Sequence, residues 1–125
     1  MTSFTDILLV EDEQNIAEAI RFILSRDGWR LAMWPEGGGA LQQIVTLRPR
    51  MVILDVMLPA RSGIEVLAAV RDDHRIATTP VLLLTARGLN DAQTSGANMA
   101  DRILAKPFDN TELRRVVAEM IGPAR

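Results

Sequence analysis

The chain has 125 residues, 48% of them apolar, with 14 basic side chains against 16 acidic ones and no cysteine. That length suits one compact domain over residues 1–125, and the missing thiols exclude disulfides, thiolate zinc sites and cysteine nucleophiles. A net charge of −2, with the basic residues scattered, offers no field for nucleic-acid backbone or membrane surface; no apolar run approaches the roughly 20 residues of a membrane span and no signal-peptide pattern opens the chain, so a soluble cytoplasmic domain is expected.

Short apolar runs alternate with stretches of helical periodicity. Ile7-Leu8-Leu9-Val10 ends abruptly in Glu11-Asp12-Glu13, the pattern of a central strand buried on both faces. Ile16, Ala19, Ile20, Ile23 and Leu24 then recur at helical spacing up to Gly28. Arg30 to Trp34 reads as a short strand closed by Pro35. Beyond Gly37-Gly38-Gly39, the residues Ala40, Leu41, Ile44, Val45 and Leu47 predict a second helix, ended by Pro49. Met51-Val52-Ile53-Leu54 is a third strand running into Asp55, and Gly63 to Arg71 carries a helix with Ile64, Leu67, Ala68 and Val70 on its apolar face. Val81-Leu82-Leu83-Leu84 follows Pro80 and ends at Thr85. A polar stretch from Arg87 to Ala100 precedes the strand Arg102-Ile103-Leu104-Ala105 and then Lys106-Pro107. The last helix has Asp109 as its N-cap with Glu112 three residues on, an apolar face of Leu113, Val116, Val117, Met120 and Ile121, and a Gly122-Pro123 stop.

Strands alternating with helices predict an α/β fold, a doubly wound five-stranded parallel sheet with right-handed crossovers and helices on both faces. Ligand chemistry in such sheets lies at the carboxyl ends of the strands, which selects Glu11, Asp12, Asp55, Thr85 and Lys106. Lys106 is the only lysine, the other thirteen basic residues being arginine. With strand order 2-1-3-4-5, strands one and three adjoin, so Glu11, Asp12 and Asp55 converge. Three carboxylates in one crevice repel, and the usual remedy is a hard divalent cation with oxygen ligands, Mg²⁺ above all. With that cation and the Lys106 ammonium the crevice becomes neutral and can accept a phosphoryl group. The matching chemistry is attack by a carboxylate on phosphorus to give an aspartyl phosphate, with the Thr85 hydroxyl donating to a phosphoryl oxygen.

These motifs resemble the receiver domains of bacterial two-component response regulators. The resemblance rests on Ile7-Leu8-Leu9-Val10-Glu11-Asp12-Glu13, Val52-Ile53-Leu54-Asp55-Val56-Met57-Leu58-Pro59 with Gly63 following, Leu84-Thr85-Ala86, and Lys106-Pro107-Phe108. It implies the flavodoxin-like receiver fold and a phosphorylation-operated switch that catalyses its own phosphotransfer and slow hydrolysis. A sensor histidine kinase or histidine phosphotransfer protein would supply the phosphoryl group to Asp55, and a downstream effector protein or domain would read the result. Asp12, Asp55 and the backbone carbonyl of Met57 would bind Mg²⁺ directly, with Glu11 acting through water; Thr85 and Lys106 would contact the phosphoryl oxygens, and Lys106-Pro107 would be cis. The departures are Glu11 where the family more often has Asp, Ile103 where it often has an aromatic switch residue, Trp34 at a usually small position, and a stretch from Thr85 to Lys106 about one residue short of the family's.

Against these readings stand blander ones. Glu11-Asp12-Glu13 alone reads equally as a solvated helix start, Thr85 alone as a strand end and Lys106 alone as a surface lysine. Their joint placement favours the phosphoacceptor site. His74 reads as a solvated loop residue, Gly37-Gly38-Gly39 as a flexible lead into a helix, and Trp34 equally as a partner contact or as packing at the sheet edge. Two other functions compete: a phosphorylation-independent pseudo-receiver, opposed by the intact acid, Asp, Thr and Lys set, and a phosphohydrolase, opposed by Met57 where a second acid would stand. Two finer expectations follow. Met57 and Arg87 flank the path of attacking water and prolong the phosphorylated state. Arg87 to Asp101, rich in turn formers, holds a short, frayed or mobile fourth helix.

Overall fold

A computed structural model describes residues 4–86 and 94–122. Five strands, β1 (Ile7–Val10), β2 (Leu31–Trp34), β3 (Met51–Asp55), β4 (Val81–Thr85) and β5 (Arg102–Ala105), alternate with α1 (Gln14–Arg26), α2 (Ala40–Leu47), α3 (Gly63–Asp72) and α4 (Asn110–Ile121). All pairings are parallel and the order is β2-β1-β3-β4-β5, as expected of a doubly wound sheet. Among the described residues no helix is long and apolar enough to cross a membrane.

Period-two alternation explains why the central strands are apolar throughout. Ile7, Leu9, Met51, Ile53, Leu82 and Leu84 point to one face, where Ala17, Ile20 and Leu24 of α1 and Leu113, Val116 and Val117 of α4 cover them. Leu8, Val10, Val52, Leu54, Val81 and Leu83 point to the other, under Ala40 and Ile44 of α2 and Val66, Leu67 and Val70 of α3. With both faces buried, the polar residues of the central strands are confined to the strand ends.

Helix starts follow local chemistry. Asp109 accepts the Glu112 amide at 2.7 Å, as its spacing predicts. At α3, Ser62 Oγ accepts the Glu65 amide at 3.2 Å while Glu65 Oε1 accepts the Ser62 amide at 3.1 Å, a reciprocal capping box that the Ser-Gly-Ile-Glu spacing already encodes. The C-terminal end of α3 is tied down differently. Arg71 donates to the carbonyls of Ala77, Thr79 and Met99 and to Asp101, whose Oδ2 also accepts the Val81 amide at 2.8 Å.

One expectation needs adjusting. The glycine run is a steric necessity more than a flexible lead: Gly37 is buried, and a Cβ there would stand 1.8 Å from the Arg61 carbonyl oxygen. Trp34 packs at the sheet edge, half-buried, with Nε1 donating to the Gly38 carbonyl at 2.7 Å. Of the expected fourth helix, residues 87–93, Arg87 included, lie outside the described residues; 94–96 form a turn and Ala97–Met99 one turn of 3-10 helix. His74 is exposed in a turn, as expected.

Candidate functional site

Register assembles the site. Val10 pairs with Leu54, so the next residue of each chain, Glu11 and Asp55, stand side by side where β1 and β3 end. On the other flank Asp55 pairs with Leu84 and Thr85 with Ala105, which brings Thr85 and Lys106 to the same edge. The Lys106 amide donates to the Thr85 carbonyl at 2.7 Å, and the Lys106-Pro107 peptide is cis, as the resemblance implies.

From there Lys106 Nζ reaches inward, 2.8 Å from Asp55 Oδ2 and 2.9 Å from Glu11 Oε1. Both acids are 4% exposed, while Asp12 is exposed and Lys106 half-buried. One carboxylate oxygen from each of Glu11, Asp12 and Asp55 lies within 4.8 Å of the others. The remaining oxygens are held from the backbone: Asp55 Oδ1 accepts the Met57 amide at 3.1 Å and Glu11 Oε2 the Glu13 amide at 3.3 Å.

Burial and a hydrogen bond to Asp55 push the Glu11 carboxyl from its ordinary 4.5 to about 7, against the opposing pull of Lys106. For Lys106, burial alone would lower the ammonium's pKa, yet the hydrogen bonds to Asp55 and Glu11 outweigh it and the net direction is upward. Among the described residues a single ammonium faces three acids, which leaves an excess of negative charge in one crevice. Hard oxygen donors at this spacing, in need of positive charge, fit a small divalent cation.

Gly63 gains its physical role here. Its amide donates to the Val56 carbonyl at 2.9 Å, and a Cβ on it would stand 2.0 Å from the Asp55 carbonyl oxygen. Only a residue without a side chain lets α3 start this close behind Asp55. Sequence spacing alone does not show this, because the closeness arises only where the start of α3 folds back on the end of β3.

Residues 7–118 match the family of response regulator receiver domains. The chain belongs to that family. Among curated relatives, this receiver is 39% identical over 108 residues to the transcriptional regulatory protein DltR of Streptococcus agalactiae, covering 86% of the chain and 47% of DltR. It is 36% identical over 114 residues to the transcriptional regulatory protein CseB of Streptomyces coelicolor, covering 90% of the chain and 47% of CseB. The chain thus spans about half the length of the curated relatives it matches. Among solved structures, the receiver domain of the sensor histidine kinase PA1611 from Pseudomonas aeruginosa, with a magnesium ion coordinated in its active-site cleft, superposes with a TM-score of 0.86 at 27% identity, covering 96% of this chain and 99% of that one. The chemotaxis response regulator CheY4 of Vibrio cholerae gives 0.83 at 26% identity, covering 94% and 99%. This receiver domain of a two-component response regulator therefore has the fold its motifs implied, and the pseudo-receiver reading is not favoured.

Proposed function

We propose that this receiver accepts a phosphoryl group on Asp55 and thereby switches the binding of a partner. One observation carries the reading: Lys106, the only lysine of the chain, places its ammonium on Asp55 and Glu11 at the carboxyl edge of the sheet, beside three convergent carboxylates. Asp12, Asp55 and the Met57 carbonyl would hold Mg²⁺ directly and Glu11 through water, in keeping with the magnesium in the PA1611 receiver. When bound, the cation supplies positive charge against the phosphoryl oxygens and offsets the acids.

The chain's own residues do the rest. An Asp55 carboxylate oxygen attacks phosphorus, the new O–P bond forms as the donor's bond to phosphorus breaks, and the donor leaves with that electron pair. Buried at the end of β3, with Oδ1 held by the Met57 amide, Asp55 presents its carboxylate in one orientation. Lys106, as a compact ammonium on a flexible stem, follows the charge from carboxylate to phosphoryl oxygen, and the Thr85 hydroxyl donates to another. The phosphodonor is a histidine kinase or histidine phosphotransfer protein, and the reader a downstream effector protein or domain. The work is cytoplasmic and involves no direct contact of this domain with nucleic acid or membrane.

Acetyl phosphate with Mg²⁺ should add the mass of one phosphoryl group to the intact protein. Asp55→Asn should take up none, and chelation by EDTA should stop uptake by the wild type. Equal uptake by the variant, or uptake indifferent to EDTA, refutes the assignment.

A further inference from the structure

The phosphoacceptor reading makes no use of Trp34 or of the glycine run, yet both lie beside the site. Trp34 ends β2, and its carbonyl accepts the Glu11 amide at 3.1 Å. Its Nε1 donates to the Gly38 carbonyl at 2.7 Å, and its ring lies so close over Gly39, itself at φ 80°, that a Cβ there would stand 3.0 Å from Cζ2. The indole thus holds the loop of residues 35–39 through its N–H, at Gly38, and through its ring, against Gly39.

That loop in turn presses on the loop between β3 and α3. The Gly37 amide donates to the Pro59 carbonyl at 3.1 Å, and the same carbonyl accepts the Arg61 amide at 2.8 Å. Gly37 meets the Arg61 carbonyl so closely that no Cβ fits between them, and Ala60 takes a left-handed φ of 70° to make the turn. At its other end the β3–α3 loop begins with the Met57 amide on Asp55 Oδ1. A path therefore runs from Trp34 to Gly38 and Gly39, along the chain to Gly37, across a hydrogen bond to Pro59, and back along the β3–α3 loop to Met57, whose amide meets Asp55.

We infer that Trp34 is a positioning residue of the phosphoacceptor site: through Gly37 it holds residues 57–61 in place, and with them the Met57 carbonyl and the Asp55 carboxylate, before any cation binds. This rests on the function proposed above. A loop already held loses less freedom when its carbonyl takes up a ligand, so the brace favours cation binding without touching the cation. The half-buried indole, with its N–H already committed, is better accounted for this way than as a partner contact.

The experiment compares Trp34→Ala, Trp34→Phe and Gly37→Ala with wild type, using Trp29→Phe as a control. Trp29 is buried under Arg50 in the core cluster of the α1 and α4 face, whereas Trp34 packs against the cluster on the other face of the sheet. Calorimetric titration with Mg²⁺ alone should show roughly tenfold weaker binding by Trp34→Ala and Gly37→Ala, the scale on which supporting residues act on a metal site, and a smaller loss for Trp34→Phe, which loses the N–H but keeps an aromatic ring. In EDTA, hydrogen exchange should speed up at the amides of residue 37, Met57, Arg61 and Gly63 but not across Ile7–Val10. Trp29→Phe should lose stability with Mg²⁺ affinity intact. Should Trp34→Ala fail to fold, the other two variants carry the comparison. Unchanged affinity and exchange in the Trp34 and Gly37 variants, or an affinity loss shared by Trp29→Phe, overturns the brace. A wild type that binds no Mg²⁺ overturns the proposed function instead, and the exchange measured in EDTA then decides the brace by itself.

Discussion

Lys106 Nζ stands 2.8 Å from Asp55 and 2.9 Å from Glu11, so one point charge serves two buried carboxylates, one at the end of β3 and one just past β1. A guanidinium is wider and planar, and it cannot take both contacts in the same crevice. Lys106→Arg should therefore keep the charge yet slow phosphate uptake from acetyl phosphate and blunt the response to beryllofluoride; identical kinetics would reduce Lys106 to a surface lysine. Glu11 carries a second prediction. Its carboxyl titrates near 7 in the folded, metal-free chain against an ordinary 4.5, so the folded state holds the proton more tightly than the unfolded one. The resulting stability is fully present below about 4.5 and is lost as pH rises through about 7. Melting temperatures measured in EDTA should fall across that window in the wild type and stay flatter in Glu11→Gln. Parallel curves would contradict the assignment.

At the scale of elements, α3 is held at both ends by side chains of different reach. Its start is a local device, the Ser62 and Glu65 capping box, which puts Gly63 directly behind Asp55. Its end is long-range, because the Arg71 guanidinium gathers Ala77, Thr79, Met99 and Asp101 and so joins the approach to β4 with the approach to β5. These bonds close the gap between α3 and the 3-10 turn at Ala97–Met99. Partly exposed charge-assisted bonds are discounted by water, so Arg71→Ala should cost about 2 kcal/mol in denaturant unfolding. Hydrogen exchange should rise at Val81 and Ala100, whose surroundings lose their tie. A loss under about 0.5 kcal/mol, the size of an ordinary surface change, would show that the network is ornamental.

For the whole molecule, stability and metal binding are linked, because the three carboxylates converge only when β1 and β3 pair. A cation that binds the folded chain alone stabilises it by about 2.7 kcal/mol at a hundredfold excess over its dissociation constant. Millimolar Mg²⁺ should accordingly raise the melting temperature of the wild type by several degrees, and Asp12→Asn or Asp55→Asn should abolish most of that rise. A rise of equal size in both variants would place the ion elsewhere.

The architecture was legible in the sequence because it rests on local pattern. Short apolar runs such as Ile7 to Val10 and Val81 to Leu84, alternating with helical patterns, fit central strands buried on both faces, and the polar residue closing each run then lies at the sheet's carboxyl edge. That reasoning placed Glu11, Asp12, Asp55, Thr85 and Lys106 at the carboxyl edge, where the fold has them. Tertiary structure alone decided the rest. Glu11, not Asp12, is the buried acid beside Asp55, since the β1–β3 register puts it there. Gly37 is required by the Arg61 backbone arriving from a distant loop and Gly63 by α3 folding back on the end of β3, while Arg71 reaches Met99 and Asp101 some thirty residues on. Local periodicity is written along the chain, whereas which loop touches which depends on how the sheet twists and where its crossovers land.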